Sequence, residues 1–118
     1  MNRLLPLVLL AATAGWTSIQ AATGEADPAA LERGKAIAFD RNAGNCLSCH
    51  MMDDGELPGN SGPPLIQMQV RFPDREVLRQ QIWDAAVRNP QTVMPPYGRN
   101  LVLSEEEIDL VVDYVLSL

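Results

Sequence analysis

The sequence predicts an all-α domain, and three observations carry that reading. No segment alternates apolar and polar residues as a half-buried strand would. Three stretches open with a helix-capping residue and continue with apolar side chains at helical spacing. The segments between them are rich in glycine and proline and read as loops. The 118 residues suffice for one domain.

The first element is not part of that domain. Met1-Asn2-Arg3 is a short positive start, Leu4 to Ala14 is apolar, and small residues follow around Ala21-Ala22. Residues 1–22 therefore read as a signal peptide and residues 23–118 as the mature domain. Ile19 and Gln20 fit poorly at the small-residue positions, so the cleavage point is not sharp. The apolar run is too short for a stable membrane span; a retained N-terminal anchor is the alternative.

Asp27 then caps a helix with Pro28 at its first position. Ala30, Leu31, Gly34, Ile37 and Ala38 form a narrow apolar stripe along it. A glycine inside a helix costs about 1 kcal/mol relative to alanine, so Gly34 suggests that another helix comes close. Residues 51–73, punctuated by seven Gly and Pro residues, form a structured loop with room for a helical piece at 65–70. Asp74 caps a helix expected to run from Arg75 to Arg88, burying Val77, Leu78, Ile82, Ala85 and Ala86. Asn89-Pro90 ends it. A second loop spans 91–100. Ser104 and Glu107 form a capping box, and the last helix carries Ile108, Leu110, Val111, Val112, Val115 and Leu116.

Lys+Arg 9 against Asp+Glu 15 gives a net charge of −6. Loss of Arg3 with the leader would bring the mature chain to about −7. That argues against nucleic acid and anionic membranes as partners. A partner with a positive face is permitted, and a plain solvated acidic surface is the competing account. Aromatic residues are only 5%, and Trp16 lies in the leader. A core of this size is marginal without additional apolar mass.

Cys46-Leu47-Ser48-Cys49-His50 supplies the candidate for that mass. These are the only two cysteines and the only histidine, in the C-x-x-C-H order that attaches c-type haem. Two thiols at this spacing can add to the two vinyl groups of one porphyrin, and the next histidine then lies under the iron as fifth ligand. Structural zinc would need a fourth ligand of the same kind. A thioredoxin-like C-x-x-C belongs to a βαβ unit, absent here. A disulfide this local would constrain the unfolded chain little.

The sixth ligand has as candidates Met51, Met52, Met68, Met94, a lysine, or no protein group. Met51 and Met52 follow His50 too closely to reach the opposite iron face. Met94 lies in Met94-Pro95-Pro96-Tyr97-Gly98, where two prolines stiffen the backbone, and is the favoured ligand. The other ring N–H of His50 needs an acceptor, which a carbonyl of Gly62-Pro63-Pro64-Leu65 is placed to offer. Trp83 and Tyr97 are candidates to touch the haem, with core packing the stronger account of Trp83. Arg71 and Arg99 are candidates to pair with haem propionates.

Taken together the pattern resembles the class I cytochromes c: Gly34 on the first helix, the Cys46–His50 motif, Gly62-Pro63-Pro64-Leu65, Met94-Pro95-Pro96, and a last helix with Tyr114. The resemblance implies an all-α class I cytochrome c fold wrapped around one covalent haem c, with the first and last helices crossing at Gly34 and Tyr114. It also implies Pro63 as the carbonyl that receives His50, and export, because haem c is attached outside the cytoplasmic membrane. Three stretches are similar to the SoxX family more narrowly: residues 71–78 beginning Arg71-Phe72-Pro73-Asp74, residues 81–85, and residues 89–99. That likeness implies a periplasmic monohaem subunit of a heterodimeric SoxAX complex. Such a complex is an L-cysteine S-thiosulfotransferase, which oxidises thiosulfate onto a carrier protein. The partner would be a SoxA-like cytochrome that holds the catalytic haem, and the acceptor an external cytochrome c. The loop at 55–73 and the Pro95-Pro96-Tyr97 corner are the stretches expected to face that partner. Nothing in this chain is catalytic alone, since it has no spare thiol and no second histidine. The alternatives are a free periplasmic monohaem electron carrier and, with an open iron site, a gas sensor or peroxidase.

Overall fold

A computed structural model describes residues 26–118; the signal peptide expected at 1–22 lies outside the described residues. The domain consists of four α-helices: α1 (Pro28–Phe39), α2 (Met68–Arg71), α3 (Arg75–Trp83) and α4 (Glu105–Leu116). Two short 3₁₀ turns, Cys46–Ser48 and Ala85–Val87, complete it. No strand occurs among the described residues.

The three principal helices start where their caps require. The Asp27 carboxylate accepts from the Ala29 N–H at 3.1 Å, and Asp74 from that of Glu76 at 2.9 Å. The Ser104 hydroxyl accepts from the Glu107 N–H while the Glu107 carboxylate accepts from the Ser104 N–H. Each bond satisfies an amide that the first helical turn leaves unpaired.

Helices α1 and α4 cross at Gly34. A Cβ there would lie 2.1 Å from the Leu110 carbonyl oxygen and 2.8 Å from Tyr114 Cβ. Only a hydrogen side chain permits this approach. Phe39 meets Tyr114 edge-on beside the crossing, with ring centroids 6.3 Å apart, a favourable aromatic geometry. The core gathers around α4: Ile108, Val111, Val112 and Val115 are fully buried, with Leu78 and Ile82 of α3 against them. Arg75 and Arg79 of α3 reach Asp109 and Asp113 of α4, with contacts of 2.7–3.3 Å. These pairs are partly solvated, so they fix the helix register more than they add stability.

Helix α3 is shorter than the sequence implies, ending at Trp83 rather than Arg88. The carbonyl that the Val87 N–H would need in a continued helix is taken: Trp83 O accepts from the Gly98 N–H at 3.1 Å, and the Val87 N–H turns to Asp84 instead. Asp84 is extended (φ −156°, ψ 90°), and its carboxylate accepts from the Ala86 N–H, which starts a new 3₁₀ turn. Val77 faces outward and Ala86 is only half-buried, while Leu78, Ile82 and Ala85 are buried as expected. The helical piece expected at 65–70 is shifted to Met68–Arg71. Leu65 stays outside the helix, its N–H donating to the Met51 carbonyl at 2.8 Å.

Candidate functional site

The Cys46–His50 segment is a tight turn built on Asn45, which adopts a left-handed conformation (φ 48°) that asparagine tolerates well. The Asn45 carbonyl accepts from both the backbone N–H and the hydroxyl of Ser48. The N–H groups of Cys49 and His50 both donate to the Cys46 carbonyl. This coil brings Cys46, Cys49 and His50 to one cavity of about 810 Å³, within the range of small-molecule and cofactor sites.

The following loop is stitched to that turn. Gly59 N–H donates to the Leu47 carbonyl, Gly62 N–H to Cys49 and Leu65 N–H to Met51, at 2.8–2.9 Å. Two of these contacts exist because the residue is glycine. A Cβ on Gly59 would enter the Ser48 carbonyl, and one on Gly62 would lie 2.4–2.8 Å from three atoms of the His50 ring. The loop thereby delivers the Pro63 carbonyl to His50 Nδ1 at 2.7 Å. A carbonyl can only accept, so Nδ1 carries the proton and Nε2 is the bare nitrogen.

From the other side the cavity is lined by Thr92, Val93, Met94 and Pro95, and by Tyr97. Met94 is half-buried, its N–H donating to the Thr92 hydroxyl. The Tyr97 hydroxyl donates to the Gly44 carbonyl at 2.5 Å. Leu65, Met68, Leu78, Ile82, Val111 and Val115 supply an apolar floor. No Asp or Glu lines the cavity, although the chain is strongly acidic.

Of the methionines considered from sequence, only Met68 and Met94 line the cavity. Met68 is fully buried, and its sulfur accepts from the Arg71 guanidinium at 3.3 Å. Met51 is exposed and Met52 is buried in the core. The sole lysine, Lys35, lies outside the cavity and is paired with Asp53 and Asp54 at 2.9 and 2.7 Å.

Among the further candidates, Arg71 lines the cavity and Arg99 does not: it pairs with the buried Asp84 at 3.0 Å. Trp83 does not line the cavity either; Arg79 stacks on it and Gly98 presses against its ring. Tyr97, a candidate to touch the haem, is buried and lines the cavity. Sequence reasoning missed Arg41, which lines the cavity without an ion pair among the described residues. Its only signal is its place five residues before Cys46.

The two thiols differ. Burial pushes Cys46 up to about 11, whereas hydroxyls of Ser61 and then Ser48 hold the more exposed Cys49 below the ordinary thiol value. Burial also raises the Tyr97 phenol, so it stays a hydroxyl donor. Two sulfurs, an imidazole with Nε2 bare and a thioether, around an apolar cavity without carboxylates, fit a covalently attached porphyrin and its iron. The set lacks the fourth Cys or His ligand that structural zinc would need.

The family described as cytochrome c oxidase, cbb3-type, subunit III matches residues 29–115. That span runs from α1 into α4 and contains every residue named above as facing the cavity. No curated protein matches the chain. Among the described residues no helix is long and apolar enough to cross a membrane.

Proposed function

Because the chain belongs to this family of cytochrome c domains, we propose that it is a monohaem electron-transfer subunit of a SoxAX-like thiosulfate-oxidising complex in the periplasm. A cytochrome c domain implies a covalent haem c, which supplies one-electron chemistry when bound, and redox partners to exchange electrons with. The observation that carries the proposal is the meeting of Cys46, Cys49, His50 and Met94 at one cavity. Cys46 and Cys49 hold the haem through thioethers. His50 binds through Nε2, kept in its tautomer by Pro63. Met94 provides the sixth ligand, and Arg41 and Arg71 offset the propionate charge.

The narrower SoxX reading is supported by the stretches at 71–78, 81–85 and 89–99. The cavity offers no thiol beyond the two attachment sulfurs and no imidazole beyond the ligand histidine, which suits a subunit that relays electrons for a catalytic partner. Exposed apolar side chains suit a lasting interface. Leu57 and Ile66 lie in the loop after the haem motif and Val70 on α2, and Val93, Leu101 and Val102 lie around the Met94 segment.

Purified alone, the protein should support no thiosulfate-dependent reduction of an external cytochrome c. Adding a SoxA-like subunit should restore it, with a heterodimer by light scattering. A chain that stays monomeric beside that subunit, with activity unchanged, is a free electron carrier instead. Haem staining after denaturing electrophoresis tests the attachment; colour lost to acid–acetone extraction would refute it.

A further inference from the structure

The segment that carries Met94 holds on to the rest of the domain mainly after the methionine. Tyr97 is buried, and its hydroxyl crosses to the Gly44 carbonyl, two residues before Cys46. The Gly44 carbonyl has no other donor among the hydrogen bonds of the described residues. Two residues on, the Arg99 guanidinium reaches the buried Asp84 carboxylate at 3.0 Å, and the N–H groups of Gly98 and Arg99 both point to the Trp83 carbonyl. Before the methionine the contacts are short-range: Thr92 N–H to Asn89, and Met94 N–H to Thr92.

We propose that Tyr97, backed by Arg99, is a positioning residue for Met94 and sets how readily its sulfur gives way to an external ligand. This rests on Met94 being the sixth ligand. The physical argument concerns two states of the segment, closed with the sulfur at the iron and open with it withdrawn. Closing buries the Gly44 carbonyl and pairs it with the phenol. Without the phenol, closing leaves that carbonyl buried and unpaired, whereas opening returns it to water. An unpaired buried carbonyl costs more than a hydrogen bond contributes, so its loss favours the open state. An external ligand that binds only the open state gains apparent affinity in proportion.

The chain makes opening easy to read. Its only side-chain nitrogen bases besides arginine and tryptophan are His50 and Lys35. His50 holds the other side of the site, and Lys35 is held by two carboxylates outside the cavity. No lysine or second histidine stands ready to replace the sulfur, so the withdrawn state takes what the solvent offers.

The test titrates the ferric holoprotein with imidazole and follows the long-wavelength iron–sulfur absorption band. Tyr97→Phe should keep the covalent haem and the band, yet bind imidazole about tenfold more tightly, the effect of one buried hydrogen bond. Arg99→Gln should shift affinity in the same direction by a smaller factor, because the guanidinium is half exposed. In a Met94→Ala background, which lacks the sulfur, Tyr97→Phe should add nothing. Unchanged imidazole affinity in both single variants overturns the proposal, even if their melting temperatures fall. If Tyr97→Phe yields no holoprotein, Arg99→Gln alone decides. If Met94→Ala keeps the band, the ligand assignment itself fails, and the positioning role falls with it; that outcome is distinct from an absent band with unchanged affinities.

Discussion

Gly34→Ala sets two effects of opposite sign against each other. Alanine inside a helix is better than glycine by about 1 kcal/mol, so α1 on its own gains. The crossing loses. The new Cβ would lie 2.1 Å from the Leu110 carbonyl oxygen and 2.8 Å from both its carbon and Tyr114 Cβ. Ordinary contact begins near 3.4 Å, so the helices must part by more than an ångström. The atoms struck are backbone and a Cβ, not the end of a flexible side chain, so nothing local can yield. Overpacking of this kind costs about 1–3 kcal/mol; with no side chain to move, the upper end applies. The net expectation is roughly 2 kcal/mol of destabilisation after the propensity gain. For a domain of about 100 residues that lowers the melting temperature by roughly 8–16 °C. Thermal unfolding of the holoprotein by circular dichroism measures it. Leu110→Ala should give no rescue, because the clash is with the Leu110 backbone. A melting temperature equal to or above the parent's would refute the reasoning, since propensity alone would then decide.

Gly62→Ala should push the His50 ring off the Pro63 carbonyl. A less basic imidazole stabilises ferric iron less, so the potential should rise by about 40 mV for about 1 kcal/mol lost; a spectroelectrochemical titration with no rise would count against the tautomer assignment. Met94→Ala should abolish the iron–sulfur band and lower the potential by on the order of 100 mV, since axial ligands tune haem potentials over about 0.8 V. If Met68→Ala does this instead, the sixth ligand is misassigned. Burial pushes the Asp109 carboxyl up, but Arg79 and Arg75 outweigh it and hold the group below the usual carboxylate range. Its depressed value adds stability above about pH 4, the unfolded value, and that stability disappears as pH falls through the folded value. Asp109→Asn should therefore cost up to about 1 kcal/mol at pH 7 and less as pH falls through the folded value; denaturant melts at pH 7 and pH 2 showing equal losses would exclude the ion pairs as the cause.

Much of the fold is legible in the sequence because it is written locally. A capping carboxylate or hydroxyl serves amides within three residues, so Asp27, Asp74 and the Ser104–Glu107 box announce their helices by residue type and spacing alone. Gly34 is legible for a different reason: an unexplained helix-interior glycine asks for a close neighbour, and Leu110 and Tyr114 supply it. The end of α3 is not legible. It depends on the Trp83 carbonyl being taken by Gly98 and Arg99 from another loop, and no helical pattern encodes that. The same tertiary event removes Arg99 from the cavity by pairing it with Asp84. Tyr97 reads from its place beside Met94 as a candidate to touch the haem, but its bond to the Gly44 carbonyl across the cavity has no sequence signal. At the cavity, Cys46, Cys49, His50, Pro63 and Met94 all stand out in the chain through motif and loop context, while Arg41 carries no pattern that would single it out.

The two sides of the cavity are held by different physics, and this has consequences for variation. On the His50 side the bonds from Gly59, Gly62 and Leu65 are backbone to backbone, and two glycines are required by space rather than by conformation. Side-chain growth there meets a wall of fixed atoms, so it displaces the backbone or the His50 ring itself. On the Met94 side the long-range ties include a phenol and a guanidinium, groups that a single substitution can remove while the backbone stays in place. Adjusting the affinity of the iron for its sulfur, or for a competing ligand, is therefore least disruptive at Tyr97 and Arg99. If Met94 is the sixth ligand as proposed, substitutions at Tyr97 and Arg99 act on its segment while the backbone bonds that hold Cys49 and the His50 loop stay as they are.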